Sequence, residues 1–289
     1  MAMNILITGA NGQLGNEMRN VLSAHDCYNV IYTDVAELDL TDAQALSNFF
    51  DSHDIDIVVN CAAYTAVDAA EDNESLCRLI NVDAVKLLAT AAQAHNARVI
   101  HVSTDYVFDG KGHRPYREDD TTCPQSVYGS TKLDGEKALF DAAPSSVVLR
   151  TAWLYSPYGK NFVKTMLMLG KTRESLNVVV DQVGTPTYAH DLALAIKAII
   201  DAPQWVPGIY HFSDEGAISW YDFTKAIHRL AGIATCNVSP CMSDQFPAKA
   251  ARPNYSVLDK SKIKAIYGIT IPYWEDSLKH CLNRLKENE

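Results

Sequence analysis

Asn4-Ile5-Leu6-Ile7-Thr8-Gly9-Ala10-Asn11-Gly12-Gln13-Leu14-Gly15, near the amino end of a 289-residue chain, reads as a short strand that turns through three glycines into a helix. Consecutive apolar residues without alternation suit a strand covered on both faces. Glycines let such a turn form and let a phosphate approach the backbone, while the N–H groups that open the helix point at it. The spacing is G-x-x-G-x-x-G rather than G-x-G-x-x-G, and alone it describes a plain strand-to-helix turn equally well.

The next strand pattern, residues 30–33, ends at Asp34, where a carboxylate can accept hydrogen bonds from ribose hydroxyls. Asp39 and Leu40 fall further along the same groove, under an adenine. Glycines and Asp34 together point to a dinucleotide. Residues 4–8, 30–33, 55–60, 98–103 and 146–150 form runs of strand length, rich in Val and Ile. Between them, residues 12–22, 41–50, 74–94 and 126–141 repeat apolar positions at helical spacing, with Asp39 or Thr41 as N-cap of the second and Pro144 after the fourth. Repeated strand–helix–strand units predict an α/β fold, a doubly wound, Rossmann-like parallel sheet.

After Arg150 the rhythm loosens, with loops around 156–159 and 240–253 and helices expected at 191–200, 220–231 and 273–285. The expected division is a dinucleotide-binding domain over 1–152, to which 178–203 return, and a smaller α+β substrate-binding region formed by 153–177 and 204–289.

The chain has 25 Lys and Arg against 35 Asp and Glu, a net charge of −10, and no basic stripe, which argues against nucleic acid as a partner. A small anion is compatible if local cations and helix N-termini hold it. The seven cysteines, at 27, 61, 77, 123, 236, 241 and 281, include no Cys-x-x-Cys pair and read as buried free thiols of a reducing compartment, the cytoplasm. Cys236 and Cys241 lack a matching Cys/His pair at zinc spacing, so no metal site is expected. No leader pattern opens the sequence, and no apolar run approaches the roughly 20 residues of a membrane span.

Tyr128-Gly-Ser-Thr-Lys132 places a phenol and an amine on one face of a helix. An ammonium beside a phenol favours the phenolate, lowers its pKa and makes the tyrosine a usable acid or base. With 14 tyrosines such a pair arises by chance, and a second one occurs at Tyr221 and Lys225. Placement separates them: Tyr128 follows the run ending His101-Val-Ser-Thr104-Asp105, at the carboxyl edge where open α/β sheets bind ligands, and Thr104 can bond the same substrate oxygen. Tyr221 lies on a late amphipathic helix and reads as structural.

The glycine triplet, Asn60-Cys-Ala-Ala63, Ser103-Thr104-Asp105 and Tyr128-x-x-x-Lys132, in that order, resemble the extended short-chain dehydrogenase/reductases. Tyr64-Thr65-Ala66-Val67-Asp68, Ser103 to Phe108, Gly135-Glu136, Arg150-Thr-x-Trp153, Asn161-Phe162, Asp181-Gln182-x-Gly184-x-Pro186-Thr187 and Ala251-Arg252-Pro253 narrow the resemblance to the dTDP-4-dehydrorhamnose reductases. It implies reduction of the C4 ketone of a dTDP-linked 4-keto-6-deoxy-L-hexose with NADH or NADPH. Tyr128 would protonate the developing alkoxide, Lys132 would also bond the nicotinamide ribose, and Thr104 would polarise the carbonyl. Gly9, Gly12, Gln13, Leu14, Gly15, Asp34, Asp39, Leu40, Ala62, Ala63, Tyr64 and Thr65 would hold the cofactor. Val67, Asp105, Tyr106, Trp153 and Asn161 would join Thr104 on the sugar nucleotide, with Arg252 for the diphosphate, although a surface ion pair suits Arg252 equally. Asn81 matches a helix-distorting asparagine that links the lysine to water.

Asp34, with no Lys or Arg before Asp39, favours NADH over NADPH. The position where some relatives carry a metal-bridging glutamate is His190 here, so a monomer or a homodimer without a metal bridge is expected. Rival readings are another nucleotide-sugar epimerase or dehydratase, though the acidic pair typical of dehydratases is absent after Thr104, and a regulatory subunit like that of methionine adenosyltransferase.

Overall fold

Ile5 and Ile7 pack into one apolar core and Leu6 into another, all three without solvent exposure, as consecutive apolar residues in a doubly covered strand require. The computed structural model describes residues 2–23, 25, 27–246 and 248–287. Its six-stranded parallel sheet comprises β1 (Met3–Thr8), β2 (Tyr28–Thr33), β3 (Ile57–Asn60), β4 (Arg98–Thr104), β5 (Val147–Thr151) and β6 (Gly208–His211), in the spatial order β6-β5-β4-β3-β1-β2. On one face Leu14 and Met18 of helix Gln13–Leu22 meet Leu192 and Ile196 of helix Ala189–Ile200. On the other lie Leu46, Leu88 and Leu139 of helices Ala43–Ser52, Ala84–Ala94 and Val127–Ala142. This is the expected α/β, Rossmann-like architecture, and the chain reverses direction across the sheet between β1 and β3, where such sheets open a ligand crevice.

β6 lies inside the span expected to belong to the smaller region. Its four residues, Gly-Ile-Tyr-His, are too short and too mixed to stand out as a strand, yet they pair with Val147–Arg150 of β5. The N-cap expected at Asp39 or Thr41 is Asp42, whose Oδ1 accepts from the N–H groups of Gln44 (2.9 Å) and Ala45 (3.0 Å). The segment expected as one helix over 74–94 is interrupted by a π-helical turn, Leu79–Asp83.

The smaller region has its own core, in which Tyr155, Val163, Phe223, Ile227 and Leu278 meet. It includes the helices Trp220–Ala231 and Trp274–Glu287, and two that the loosened pattern hid, Phe162–Thr172 and Ser261–Tyr267. All seven cysteines are free, but Cys27 and Cys123 are exposed, against the expectation that the thiols are buried; both sit in loops rather than in the apolar runs. Among the described residues no helix is long and apolar enough to cross a membrane.

Candidate active site

Gly9 has φ +61°, and a Cβ there would lie 2.7 Å from the Ala62 nitrogen; one on Gly15 would lie 2.5 Å from Ala10 Cα and from the Gly9 oxygen. Only glycine lets the loop sit this close to β3 and to its own helix. Gly12 caps that helix without a side-chain hydrogen bond, and the first helical bond runs from Asn16 N–H to Gly12 O, so the first-turn N–H groups face outward for an anion. A groove of about 650 Å³ runs from this loop past Asp34, Val35, Asp39 and Leu40 on one side and Ala62, Ala63 and Leu79 on the other. The cradle and groove fit a dinucleotide.

Asp34 is less open than the sequence suggests, because its Oδ2 accepts from Asn11 N–H (3.0 Å) and Oδ1 from Val35 N–H (2.9 Å). Asp39 accepts from the N–H and hydroxyl of Thr41, which holds its carboxyl below the usual range. Leu14 belongs to the core, leaving only its backbone for a ligand. Gln13 Oε1 accepts from Ser156 (3.3 Å) and Asn161 (2.9 Å), and Asn161 also caps helix Phe162–Thr172 by accepting from Lys164 N–H. Asn161 thus ties the glycine loop to the smaller region, with its amide engaged rather than free for a sugar.

β3, β4 and helix Val127–Ala142 place the polar centre. Ser126 caps that helix by accepting from Gly129 N–H at 3.1 Å, which sets Tyr128 and Lys132 one turn apart facing the end of β4. The Thr104 hydroxyl bonds Tyr128, and the edge of the Tyr106 ring packs on Tyr128 with centroids 5.5 Å apart. Here the sequence expectation is corrected: burial raises the Tyr128 pKa above 10, and the Thr104 bond offsets this only in part. The reason is the position of Lys132, whose Nζ donates to Val102 O at 2.7 Å and lies 3.2 Å from His101 Nε2, turned toward β4 instead of the phenol. Burial pushes the Lys132 amine down to about 8.

Asn81 does distort its helix. Its Oδ1 accepts from Tyr64 N–H (2.9 Å), and its carbonyl oxygen bulges to 2.1 Å from where a Cβ on Gly135 would stand, so only glycine fits there. Its amide donates to Thr131 Oγ1 (3.2 Å), not to Lys132. Thr65 is exposed and Val67 half-buried on the loop and short helix Val67–Ala70 that follow β3.

Toward the smaller region, Asp105 is buried at 3% exposure, accepts from the Thr104 hydroxyl at 3.0 Å and bonds Ser256, while its Oδ2 has no protein partner; burial lifts the carboxyl to about 6. Trp153 adopts φ +50°, strained for a non-glycine residue, and stacks on Trp220 with centroids 3.4 Å apart. Arg252 donates to Tyr106 Oη (3.0 Å) and to Asp68 Oδ2 (2.6 Å), at the rim of a cavity of about 180 Å³. Tyr221 and Lys225 sit on helix Trp220–Ala231, on a different element from these groups. Sequence reasoning assigned no role to His101, Trp220 or Ser256. A histidine inside the apolar run 98–103 was the available signal for the first.

A glycine loop at the switch point of a parallel sheet, with Tyr128, Lys132 and Thr104 at its carboxyl edge, defines the extended short-chain dehydrogenase/reductase class. Within it, the RmlD substrate binding domain family matches residues 3–287, and the chain belongs to that family. It is 42% identical over 285 residues to a dTDP-4-dehydrorhamnose reductase of Aggregatibacter actinomycetemcomitans, covering 96% of this chain and 97% of that protein. Among solved structures, a dTDP-4-dehydrorhamnose reductase from Clostridium acetobutylicum superposes with a TM-score of 0.95 at 45% identity, covering 98% of this chain and all (100%) of that one. The Bacillus anthracis dTDP-4-dehydrorhamnose reductase in complex with NADP gives 0.94 at 37% identity, with the same 98% and 100% coverage.

Proposed function

We propose that the protein reduces the C4 ketone of dTDP-4-dehydro-6-deoxy-L-mannose to dTDP-L-rhamnose. The observation that carries this reading is the Thr104–Tyr128 contact at the end of β4, with Lys132 one helical turn on, at the same carboxyl edge of the sheet that carries the glycine loop. Full-length similarity to named reductases supports it. When bound, a nicotinamide supplies the hydride. Tyr128, kept as the neutral phenol by burial, is a loaded acid for the alkoxide that develops on the sugar. Thr104 steadies the same oxygen, and an ammonium at Lys132 offsets the phenolate left behind. Asp105, Tyr106, Val67 and Trp153 flank the sugar, and Arg252 meets the diphosphate by leaving Asp68, a guanidinium fork suiting phosphate oxygens. The segments 153–177 and most of 204–289 then serve the sugar nucleotide, with 178–203 and β6 belonging to the cofactor domain.

The same reading gives NADH preference. A 2′-phosphate would meet Asp34, with Glu37 beside it accepting from Asp34 N–H, and a like-charge contact of this kind costs on the order of 1–2 kcal/mol, about ten- to thirtyfold in affinity. The protein would work in the cytoplasm, where free thiols persist. The test is to mix it with dTDP-4-dehydrorhamnose and NADH or NADPH and follow cofactor absorbance. Oxidation of neither removes the reductase reading and leaves the regulatory one; a higher kcat/KM with NADPH removes the role given to Asp34.

A further inference from the structure

A buried chain of polar groups crosses the carboxyl edge of the sheet beneath the catalytic helix. Ala62 N–H donates to Asn60 Oδ1 at 3.1 Å, and the Thr8 hydroxyl donates to the same atom at 2.7 Å. A backbone N–H is always a donor, so this fixes which end of the Asn60 amide is oxygen. The other end, Nδ2, then faces His101 Nδ1 at 3.0 Å and must donate to it. His101 has no solvent exposure, and burial beside Lys132 holds it neutral. A neutral imidazole that accepts at Nδ1 carries its hydrogen on Nε2. That Nε2–H points at Lys132 Nζ, 3.2 Å away.

An ammonium has three donors and no acceptor, so it cannot take a hydrogen bond from an N–H group. A neutral amine can: its lone pair accepts from His101 Nε2–H while one of its hydrogens goes to Val102 O. We propose that His101, locked in its Nε2–H form by Asn60, is a positioning residue that parks Lys132 as a neutral amine and releases it toward Tyr128 when the amine gains a proton. Beside Tyr128 only the ammonium offsets the phenolate left by proton transfer, so turnover draws on the released, protonated form. The other groups acting on Lys132 are the Glu136 carboxylate on its own helix, itself clamped by Arg150, and the Cys77 thiol from helix Glu74–Arg78; both favour the ammonium, and neither touches Asn60 or His101 in any bond described above. The parking contact is therefore set by β3 and β4 and can be altered without moving either.

The use of Lys132 in turnover rests on the reductase reading, whereas the hydrogen on His101 does not. Asn60→Asp is the informative change. Its Oδ1 still accepts from Ala62 and Thr8, but a carboxylate oxygen now faces His101 Nδ1, which moves the ring hydrogen to Nδ1 and leaves a lone pair on Nε2 for the ammonium. In the wild type, kcat/KM should fall as pH rises past about 8, where Lys132 loses its proton. In Asn60→Asp that fall should move up by about one pH unit or more, a tenfold change in proton affinity. An unmoved profile overturns the proposal. Nitrogen-15 NMR of histidine-labelled wild-type protein supplies the second test and needs neither the variant nor activity. His101 should show a protonated Nε2 and a bare Nδ1, and the reverse overturns the proposal even if the enzyme turns over. A wild type with the Nε2–H form but no ketone reduction would overturn the reductase reading, and with it the release step.

Discussion

Replacing Glu136 by Gln should weaken the protein more than any surface change, because Glu136 and Arg150 form an ion pair in which each residue is only 2% exposed. Arg150 grips the carboxylate through Nε to Oε1 at 2.9 Å and Nη2 to Oε2 at 2.7 Å, and Ser103 Oγ adds a third donor to Oε1 at 2.5 Å. These bonds fasten the helix of Tyr128 and Lys132 to β4 and β5. A glutamine at 136 has one oxygen for three donors, and its amide would point a hydrogen at another donor. Arg150 would stay buried as a cation, with Glu118 O at 3.5 Å and the Phe108 ring at 5.2 Å as its remaining company. Breaking one side of such a pair costs about 3–5 kcal/mol, a large share of a total near 5–15 kcal/mol. With a urea dependence of about 3 kcal/mol per molar, the unfolding midpoint should fall by about 1 M or more. Changing both residues to methionine should recover most of the loss, since the charge is then gone along with its partner. Urea unfolding followed by circular dichroism checks both variants. A loss under about 1 kcal/mol in Glu136→Gln would show that the pair is hydrated and does not clamp the helix.

Tyr128→Phe should lower kcat by on the order of a hundredfold or more while Tyr221→Phe leaves it within about twofold, as only the first removes a proton donor; equal losses in steady-state assays would show that the wrong pair was chosen. Asp105→Asn should change how stability depends on pH. The buried carboxyl titrates near 6 in the fold against about 3.8 unfolded, so its ionisation costs stability progressively as pH rises from about 3.8 past 6. The variant should therefore gain about 3 kcal/mol on the wild type between pH 3.5 and pH 7.5, measured by denaturant unfolding at each pH, and a constant difference would refute the burial argument. EDTA should leave activity unchanged, because His190 Nδ1 lies 3.1 Å from Glu17 Oε2 and Arg284 already neutralises that carboxylate at 2.8 Å. Activity lost to EDTA and restored by Mg²⁺ would contradict it.

How far the site could be read from sequence depended on whether a residue's role is local. The glycine loop, the strand that precedes it and the i, i+4 spacing of Tyr128 and Lys132 are fixed within a few residues, and all were legible. β6 was not, because four residues carry no period and are a strand only through the edge that β5 offers. The π turn at Leu79–Asp83 has no local period to mark it; only the resemblance singled out Asn81, and what holds the turn is Asn81 reaching Tyr64, 17 residues away in sequence. The direction of the Tyr128 shift failed for the same kind of reason. Spacing brings an amine to the same helix face as a phenol, but where the amine points is decided by Val102 O and His101 on β4, about 30 residues upstream. Burial then acts on both groups in opposite senses, raising the phenol and lowering the amine, since each change disfavours a charge. A tyrosine and lysine buried together thus tend toward their neutral forms, and the ionised pair that the motif suggests must be assembled by further partners. Thr104 is one of these, and the alignment of Asn60 with His101 determines when Lys132 becomes another.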